Sequence, residues 1–332
     1  MSTPLGLSIA SHSGLPPAGV GAVARTAELA GFSAVFVAEG HGDALALCHP
    51  VAAATRHVRV GTAIANAALR PPVLAAKTAA QLDHASDGRF VLGVGVANSV
   101  MNARFGVAAH PPLPMIEEYA AVVRAVLAGS ADGYDGAVFR TGMVPLDSPP
   151  VRERLPIYLA ALGPRMLELA GRIADGVILN LMSPAQAAQA AAVVRAAALA
   201  AGRDPAAVEI TCVVHCCLAN GGGNGESAAA ARAVVPRYVL HPAAPRLFGE
   251  LDGGPSLRGV RERVLAGDRA GAAGQVPQEV ADAFVAHGGA AQVSARVSQY
   301  RAAGVDLPIV APMPVGGDWG YEKTIAALAA GS

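Results

Sequence analysis

The sequence predicts a (β/α)₈ barrel, an α/β fold in which eight parallel strands are enclosed by helices. Eight short apolar runs alternate with longer segments of helical periodicity along a chain of 332 residues. The runs are continuously apolar, as is typical of strands that are covered on both faces of a parallel sheet. The turn after the first run lacks the glycine fingerprint of a doubly wound dinucleotide-binding sheet, so a closed barrel is favoured over an open sheet.

The predicted elements follow one another along the whole chain. We predict strands at residues 5–10, 33–39, 58–65, 90–97, 156–162, 175–181, 209–219 and 306–313. We predict helices at 18–31, 44–56, 71–86, 115–128, 164–174, 184–201, 290–303 and 321–330. Two segments depart from the repeat: an edge hairpin at 136–144 and a mostly helical insertion at about 220–287. We therefore expect residues 1–332 to form a single barrel domain with insertions.

The composition argues against several classes of protein. Hydrophobic residues make up 53% of the chain, which is enough for a large core. Basic and acidic residues number 25 each, so the chain lacks the excess of positive charge that nucleic-acid binding requires. No apolar run reaches the roughly eighteen residues of a transmembrane helix. We expect a cytoplasmic protein with no nucleic-acid partner and no membrane partner.

Three of the four cysteines lie in one apolar run together with His215, which raises the question of a metal site. Cys212, Cys216 and Cys217 fit no zinc spacing, and adjacent residues of a strand point to opposite faces. Free cysteines usually behave as small buried hydrophobes. We therefore predict structural burial and no metal.

Polar residues at the ends of the strands are the candidates for function, because the chemistry of a barrel lies at its C-terminal face. Glu39, His41 and Asp43 follow the second strand. A histidine on a glycine-flanked loop has no core to fill and can exchange a proton near neutral pH. We predict that His41 is catalytic and that Asp43 caps the following helix.

Several residues of the first four strands are candidates for binding a cofactor. The glycine Gly95 lets a flat ligand approach the backbone. Thr62 offers a hydroxyl to a ring edge, and Asn98 offers a polar contact at the mouth. Ser8, on the first strand, is a further candidate for binding the cofactor. The glycine-containing end of the fourth strand, residues 93–97, is only a weak candidate for a phosphate-binding loop, because no helix is predicted directly after it.

Helix starts supply candidate anion sites. A helix is predicted to begin at Pro164, and its positive end and free N–H groups suit a phosphate. Asn180 and Ser183 precede the next helix, where Ser183 is equally well explained as a cap. Two glycines lie before the helix that leads to the last strand, a region where barrels often bind phosphate. The cofactor-binding candidates at these helix starts are Gly163, Pro164, Arg165, Met166, Asn180, Ser183, Gly288 and Gly289.

No serine–histidine–aspartate triad and no metal-ligand cluster appears in the sequence, so a cofactor is expected to carry the chemistry. Four stretches, at residues 27–43, 56–95, 156–180 and 287–310, resemble the luciferase-like monooxygenase and reductase family. The most specific are Arg70-Pro71-Pro72 and the segment Asp87 to Phe90. The resemblance implies a (β/α)₈ barrel that binds FMN or the deazaflavin coenzyme F420 at the strand ends. It also implies that Ala63 and Ile64 lie behind the ring and are joined by a cis peptide, and that the protein is a homodimer.

The function predicted from these features is F420-dependent hydride transfer to or from a small organic substrate. Two alternatives stay open: an FMN-dependent monooxygenase that inserts oxygen, and a non-catalytic flavin-binding protein. Low aromatic content and small residues at the strand ends predict a roomy apolar pocket and hence a hydrophobic substrate.

Overall fold

Eight parallel strands form the centre of the molecule. The structure, a computed structural model, describes residues 4–97, 99–108, 110–130, 132–142, 145–219, 223–249 and 253–329. The barrel strands are β1 (Gly6–Ala10), β2 (Ala34–Ala38), β3 (Arg59–Thr62), β4 (Phe90–Gly95), β5 (Ile157–Ala160), β6 (Gly176–Asn180), β7 (Glu209–Leu218) and β8 (Leu307–Pro312). Each strand pairs in parallel with the next.

The barrel closes where β8 pairs with β1, with Gly6 opposite Ile309 and Leu7 opposite Val310. No edge is therefore left between the first and last barrel strands. This closed parallel order confirms the predicted (β/α)₈ fold.

Helices cover the outside of the barrel. They span Pro17–Leu29, Ala44–Ala54, Pro72–Ala85, Pro112–Leu127, Pro164–Ile173, Pro184–Ala200, Ala290–Ala302 and Tyr321–Ala329. Five of them start with a proline in the first turn, where a missing N–H costs least. A further helix, Ser99–Arg104, was not predicted, and the expectation that no helix follows the fourth strand is wrong. Its six residues are too few for an apolar periodicity to appear.

Two segments interrupt the βα repeat. The hairpin consists of Tyr134–Asp135 paired antiparallel with Arg140–Thr141. Between β7 and β8 the chain forms helices at Asn224–Val234, Ala244–Leu247, Arg258–Leu265, Arg269–Gly274 and Gln278–Phe284, with a 3₁₀ turn at Val235–Arg237. We call residues 223–284 the excursion. The strand Val285–Gly288 follows the excursion and pairs with His215–Leu218 of β7. These residues lie beyond Val213, the last β7 residue that pairs with β6.

Strand residues alternate between two apolar layers. Leu7, Ile9 and Val35 face the surrounding helices, whereas Phe36 and Ile309 belong to the cluster inside the barrel. At the N-terminal end this interior is crossed by an ion pair, in which Arg59 Nη1 and Nη2 donate to Glu209 at 2.8 and 2.9 Å. Charged side chains therefore close the bottom, and the opposite end holds the predicted site.

All four cysteines are buried free thiols. Cys216 packs in the layer under the helices, and Cys217 packs against the excursion, so the two adjacent side chains point to opposite faces. The prediction of structural burial is confirmed. In the described part of the chain, no group of three or more His, Cys, Asp or Glu side chains is arranged to hold a metal ion. Within the same residues, no helix has the length and apolar character needed to cross a membrane.

Glu28 fastens the first helix to the loop before β3. Its Oε1 accepts the backbone N–H groups of Arg56, His57 and Val58 at 2.8, 2.6 and 3.1 Å. Burial opposes ionisation of this carboxyl, but the three N–H groups and Arg25 outweigh it and lower the pKa of Glu28 to about 2. The ionised form of Glu28 therefore stabilises the folded state.

We expect Glu28→Gln to lower the free energy of unfolding at pH 7 by about 1–3 kcal/mol, because charged acceptors are lost from three N–H groups. The folded pKa lies below the unfolded value of roughly 4.3, so this stabilisation is complete above that value and is lost as the pH falls towards 2. Urea unfolding of both proteins at pH 7 and pH 3 measures the difference. A gap that is equally large at pH 3 would contradict the assignment.

Candidate active site

The mouth of the barrel is lined by small side chains. Phe36 belongs to the interior cluster, so Ala38, two residues further along β2, points the same way, and Ala10 is its partner on β1. The same alternation from the interior Tyr158 directs Ala160 inward. These strand-end alanines are partly exposed, while the layer below them is buried. The result is a shallow apolar depression above a sealed core.

Ala63, Ile64 and Gly95 lie together at one side of this depression. The Ala63–Ile64 peptide is cis, as the family resemblance implies, and both side chains pack against the interior cluster. A Cβ on Gly95 would lie 3.3 Å from Ile64 Cγ1 and 2.8 Å from the Cβ of Ala160. Glycine is therefore required at position 95 if these two walls are to approach each other.

Thr62 does not offer its hydroxyl to the mouth, which corrects the prediction for this residue. The side chain is fully buried, and its Oγ1 donates to the Gly93 carbonyl at 2.7 Å and accepts the Gly93 N–H at 3.1 Å. A Cβ on Gly93 would lie 1.9 Å from the Thr62 carbonyl oxygen. Thr62 and Gly93 thus join β3 to β4. Ser8 is also buried, in the layer below Ala10.

Glu39, a strand-end residue of the sequence, and two asparagines that the sequence did not mark tie the loops after β2, β3 and β4 together. Glu39 accepts the backbone N–H of Asn66, and Asn66 Nδ2 donates to Asn102 Oδ1 at 2.7 Å. Asn102 Nδ2 in turn donates to the Val96 carbonyl at 2.9 Å. Burial raises the pKa of Glu39. Asn98, a predicted contact, lies outside the described residues.

His41 is exposed at the rim of the mouth, and a second histidine lies beside it. The ring centroids of His12 and His41 are 6.1 Å apart, and Trp319 packs edge-on against His12 at 5.4 Å. Sequence reasoning missed His12, although it follows β1 as His41 follows β2. Trp319, the only tryptophan of the chain, follows β8. The strand-end rule that selected His41 would also have selected both of these residues.

The two glycines that flank His41 make room for the loop after β1. A Cβ on Gly40 would lie 2.5 Å from His12 Nδ1, and a Cβ on Gly42 would lie 2.8 Å from the Ser11 carbonyl oxygen. Any larger residue at either position would push this loop away. The Gly-His-Gly pattern therefore positions His12 as well as His41.

A buried polar cluster lies on the other side of the mouth. His215 Nε2 is 3.0 Å from Asn180 Oδ1 and 3.0 Å from the Tyr238 hydroxyl. Burial, followed by the positive charge of Arg237, lowers the pKa of His215 to about 4, so the imidazole is neutral near pH 7. Asn180 is the last residue of β6 and contacts a histidine that sequence reasoning assigned to the core, while its role in cofactor binding stays a prediction.

The predicted phosphate site at Gly163 lies at the exposed start of a helix. Gly163 is the N-cap of the helix Pro164–Ile173, and Pro164 and Arg165 are exposed. The Met166 N–H donates to the Gly163 carbonyl at 3.1 Å, so Met166 does not present a free donor, which corrects that prediction. In the described part of the chain, the N–H groups of Gly163 and Arg165 have no partner.

Asp43 and Ser183 both cap the helices that follow them. The Asp43 Oδ1 accepts the Ala46 N–H at 3.1 Å, as predicted. Ser183 and Gln186 form a reciprocal capping box, so the Ser183 hydroxyl serves its own helix, and its assignment to the cofactor is corrected. Local helix geometry satisfies this side chain before any ligand binds.

Gly288 and Gly289 lie at the start of the helix Ala290–Ala302. Gly288 is buried with a φ of 105°, which favours glycine, and its carbonyl accepts the Ala219 N–H at 2.8 Å. It lines a cavity of about 350 Å³ together with Ala228, Gln278, Asp282, His287 and Gln292. The two predicted phosphate sites are therefore at different helix starts.

The family model for luciferase-like monooxygenases matches residues 1–307. The chain is 29% identical over 298 residues to a 5,10-methylenetetrahydromethanopterin reductase of Methanolobus tindarius, which covers 88% of this chain and 89% of that relative. Its fold is similar to the coenzyme F420-dependent tetrahydromethanopterin reductase of Methanopyrus kandleri, with a TM-score of 0.86, 23% identity, and coverage of 99% and 98%. It is also similar to an F420-dependent secondary alcohol dehydrogenase in complex with an F420–acetone adduct, with a TM-score of 0.78, 21% identity and 99% coverage of both chains. Because the family match spans most of the sequence, the protein belongs to the luciferase-like monooxygenase family and is an oxidoreductase.

Proposed function

We propose that the protein uses coenzyme F420 to transfer a hydride between the deazaflavin ring, bound at the barrel mouth, and a small organic substrate. The observation that carries this proposal is the mouth itself. Ala10, Ala38, Gly95 and Ala160 keep side chains short where a flat ring has to lie. Similarity over most of the chain to a reductase, and the fold shared with F420-dependent enzymes, support the deazaflavin over FMN.

The residues present fit a planar heteroaromatic cofactor. Ala63 and Ile64 would support one face of the ring, and the missing side chain of Gly95 leaves their wall close to Ala160. When bound, the deazaflavin would supply two-electron hydride chemistry. The protein would supply orientation, exclusion of water by the apolar depression, and proton transfer at the rim.

A proton has to be delivered or removed when a hydride moves to or from a carbon that bears oxygen or nitrogen. His41 is exposed at the rim, where its imidazole can exchange that proton with the substrate. His12 lies beside His41, and Trp319 packs against His12. These two side chains limit the positions that a substrate can occupy. We therefore assign His41 as the acid or base and His12 as its neighbour in the substrate pocket.

We expect Gly163→Val to weaken F420 binding about tenfold or more, because a branched side chain would crowd a phosphate at the helix start. No atom lies within 4 Å of a Cβ added at this position, so the barrel should keep its melting temperature. Fluorescence titration of the cofactor, run together with thermal unfolding, measures both quantities.

Gly274→Val is the matched control, since Gly274 also has open space around it and lies in the excursion. It should leave the Kd for F420 unchanged. Normal F420 binding by Gly163→Val would move the proposed phosphate site to Gly288 and Gly289. If the variant loses F420 binding only because it unfolds, the assignment of the phosphate to Gly163 loses its support.

The function is tested by titrating the purified protein separately with F420 and FMN. We expect F420 to bind at least tenfold more tightly, and the reduced form to be oxidised in a protein-dependent way by some member of a panel of ketones, aldehydes and imines. Tighter binding of FMN with oxygen-dependent turnover would favour the monooxygenase alternative. Binding without any turnover would favour a non-catalytic flavin-binding protein.

We further propose that residues 1–332 act as one domain within a homodimer in the cytoplasm, and that the substrate is largely hydrophobic. The family resemblance supports the dimer, and the apolar depression supports the substrate class. Light scattering of the purified protein at two concentrations tests the dimer directly.

A further inference from the structure

One positively charged side chain of the excursion lies at the barrel mouth. Arg237 ends the 3₁₀ turn Val235–Arg237, and its Nη1 is 3.5 Å from His12 Nε2. Arginine only donates hydrogen bonds, so the lone pair of His12 Nε2 must face the guanidinium. Partial burial, then Arg237 and His41, lower the pKa of His12, which favours its neutral form beside the arginine.

The position of Arg237 is fixed by its neighbours in the chain. Val235 and Pro236 are buried in the core of the excursion, and Tyr238 is hydrogen-bonded to His215 on β7 at 3.0 Å. The backbone on both sides of Arg237 is thus attached to the molecule. The exposed guanidinium extends from a rigid base towards the loop after β1.

The carboxylates of the neighbouring loops are already engaged. Glu39 accepts the Asn66 N–H, Asp43 is paired with Arg70, and Asp318 is paired with Lys323 at 2.8 Å. Within the described ranges, Arg237 itself forms no ion pair. Burial, followed by the charge of Arg237, lowers the pKa of His12 and of His215. Among the described residues, the mouth therefore presents a positive charge without a carboxylate partner.

An aromatic wall adjoins this charge. Trp319 packs against His12 and is stacked on Tyr321 at 5.9 Å, and the Tyr321 hydroxyl accepts the Ala10 N–H at 3.0 Å. A ligand that reached Arg237 would lay its carbon skeleton beside this wall. The combination of a guanidinium and an indole suits an amphipathic anion.

We propose that Arg237, with His12 beside it, binds a carboxylate or phosphate group of a ligand that enters the barrel mouth. This proposal adds a binding site for an anionic group to the proposed function, and it rests on that function for the identity of the reacting ring. An arginine binds either anion through two parallel hydrogen bonds, which are stronger than bonds between neutral groups. The anion belongs either to the substrate or to the tail of the cofactor.

Trp319 provides a direct readout, because it is the only tryptophan of the chain and lies next to His12. We would titrate the wild-type protein with benzoate and inorganic phosphate and follow the tryptophan emission. Benzamide, the uncharged counterpart of benzoate, is the control ligand. We expect saturable changes with both anions and none with benzamide over the same concentrations.

Arg237→Gln should weaken binding of these anions tenfold or more. Arg56→Gln is the matched control variant, since Arg56 is exposed in the loop before β3, at the opposite end of the barrel, and the change in charge is the same. Arg56→Gln should bind like the wild type. Both variants should keep the wild-type melting temperature.

The source of the anion is decided by comparing F420 with the deazariboflavin that has the same ring but no phosphate tail. If Arg237→Gln weakens binding of F420 but not of deazariboflavin, the site holds the cofactor tail. If the variant binds F420 normally and loses only benzoate and phosphate, the site holds an anionic substrate. Either result supports the proposal.

The proposal would be overturned if the wild type and Arg237→Gln bound F420, benzoate and phosphate equally well. It would also be overturned if the wild-type protein responded to neither anion and the two proteins had the same affinity for F420. Failure of the proposed function is distinguishable from this result. A protein that binds benzoate through Arg237 but binds neither F420 nor FMN would retain the anion site and refute the cofactor assignment.

Discussion

Replacing His41 by alanine is expected to lower kcat with reduced F420 by about 10²–10⁴-fold, the range that loss of a general acid or base produces. His41 is exposed at the rim, and its ring lies 6.1 Å from that of His12. The Kd for F420 should change little, because the apolar wall of Ala63 and Ile64 is untouched. Steady-state kinetics and a cofactor titration on the same preparation measure the two effects.

His57→Ala is the control for this substitution, because His57 is an exposed histidine in the loop before β3, at the other end of the barrel. It should retain wild-type turnover. An unchanged kcat with only a raised KM in His41→Ala would reduce His41 to a binding residue. His12→Ala should then be tested next, since a loss of kcat in that variant alone would transfer the proton-exchanging role to His12.

Arg152→Ala is expected to lower the free energy of unfolding by about 3 kcal/mol, because it leaves a buried carboxylate without its partner. The Asp83 side chain is fully buried, and Arg152 Nε and Nη2 donate to its Oδ1 at 3.0 and 2.5 Å. Arg152 also donates to the Phe90 carbonyl at the start of β4. One side chain thus joins the helix Pro72–Ala85, β4 and the segment before β5.

Arg140→Ala is the matched control, since its ion pair with Asp135 is exposed at both partners, by 80% and 84%. Exposed pairs contribute little, so this variant should lie within about 0.5 kcal/mol of the wild type in urea unfolding at pH 7. The double variant Asp83→Asn, Arg152→Met should recover part of the loss, because it removes the unpaired charge. A loss for Arg152→Ala no larger than that for Arg140→Ala would show that Asp83 needs no counter-charge.

The order of the elements was accessible from the sequence because it depends on local patterns. Continuous apolar runs predicted the eight strands, and their observed bounds differ from the predicted ones by one or two residues at most ends. The Asp43 cap and the burial of the four cysteines follow in the same way from neighbouring residues. The position of His41 followed from the rule that the ends of parallel strands meet at one face of a barrel.

Which side chains meet at that face was decided by the tertiary structure. His12 and Gly40 are in contact across 28 positions of the sequence, and Trp319 arrives from the other end of the chain. Arg237 lies in the excursion, far from any strand end, so no local pattern marked it. For Thr62 the sequence position predicted a ligand contact that the tertiary structure removes, because the hydroxyl is buried against Gly93. Periodicity determines which face of a strand is apolar, but the distances between loops depend on how eight strands close into a barrel, and that closure is not written in any one segment.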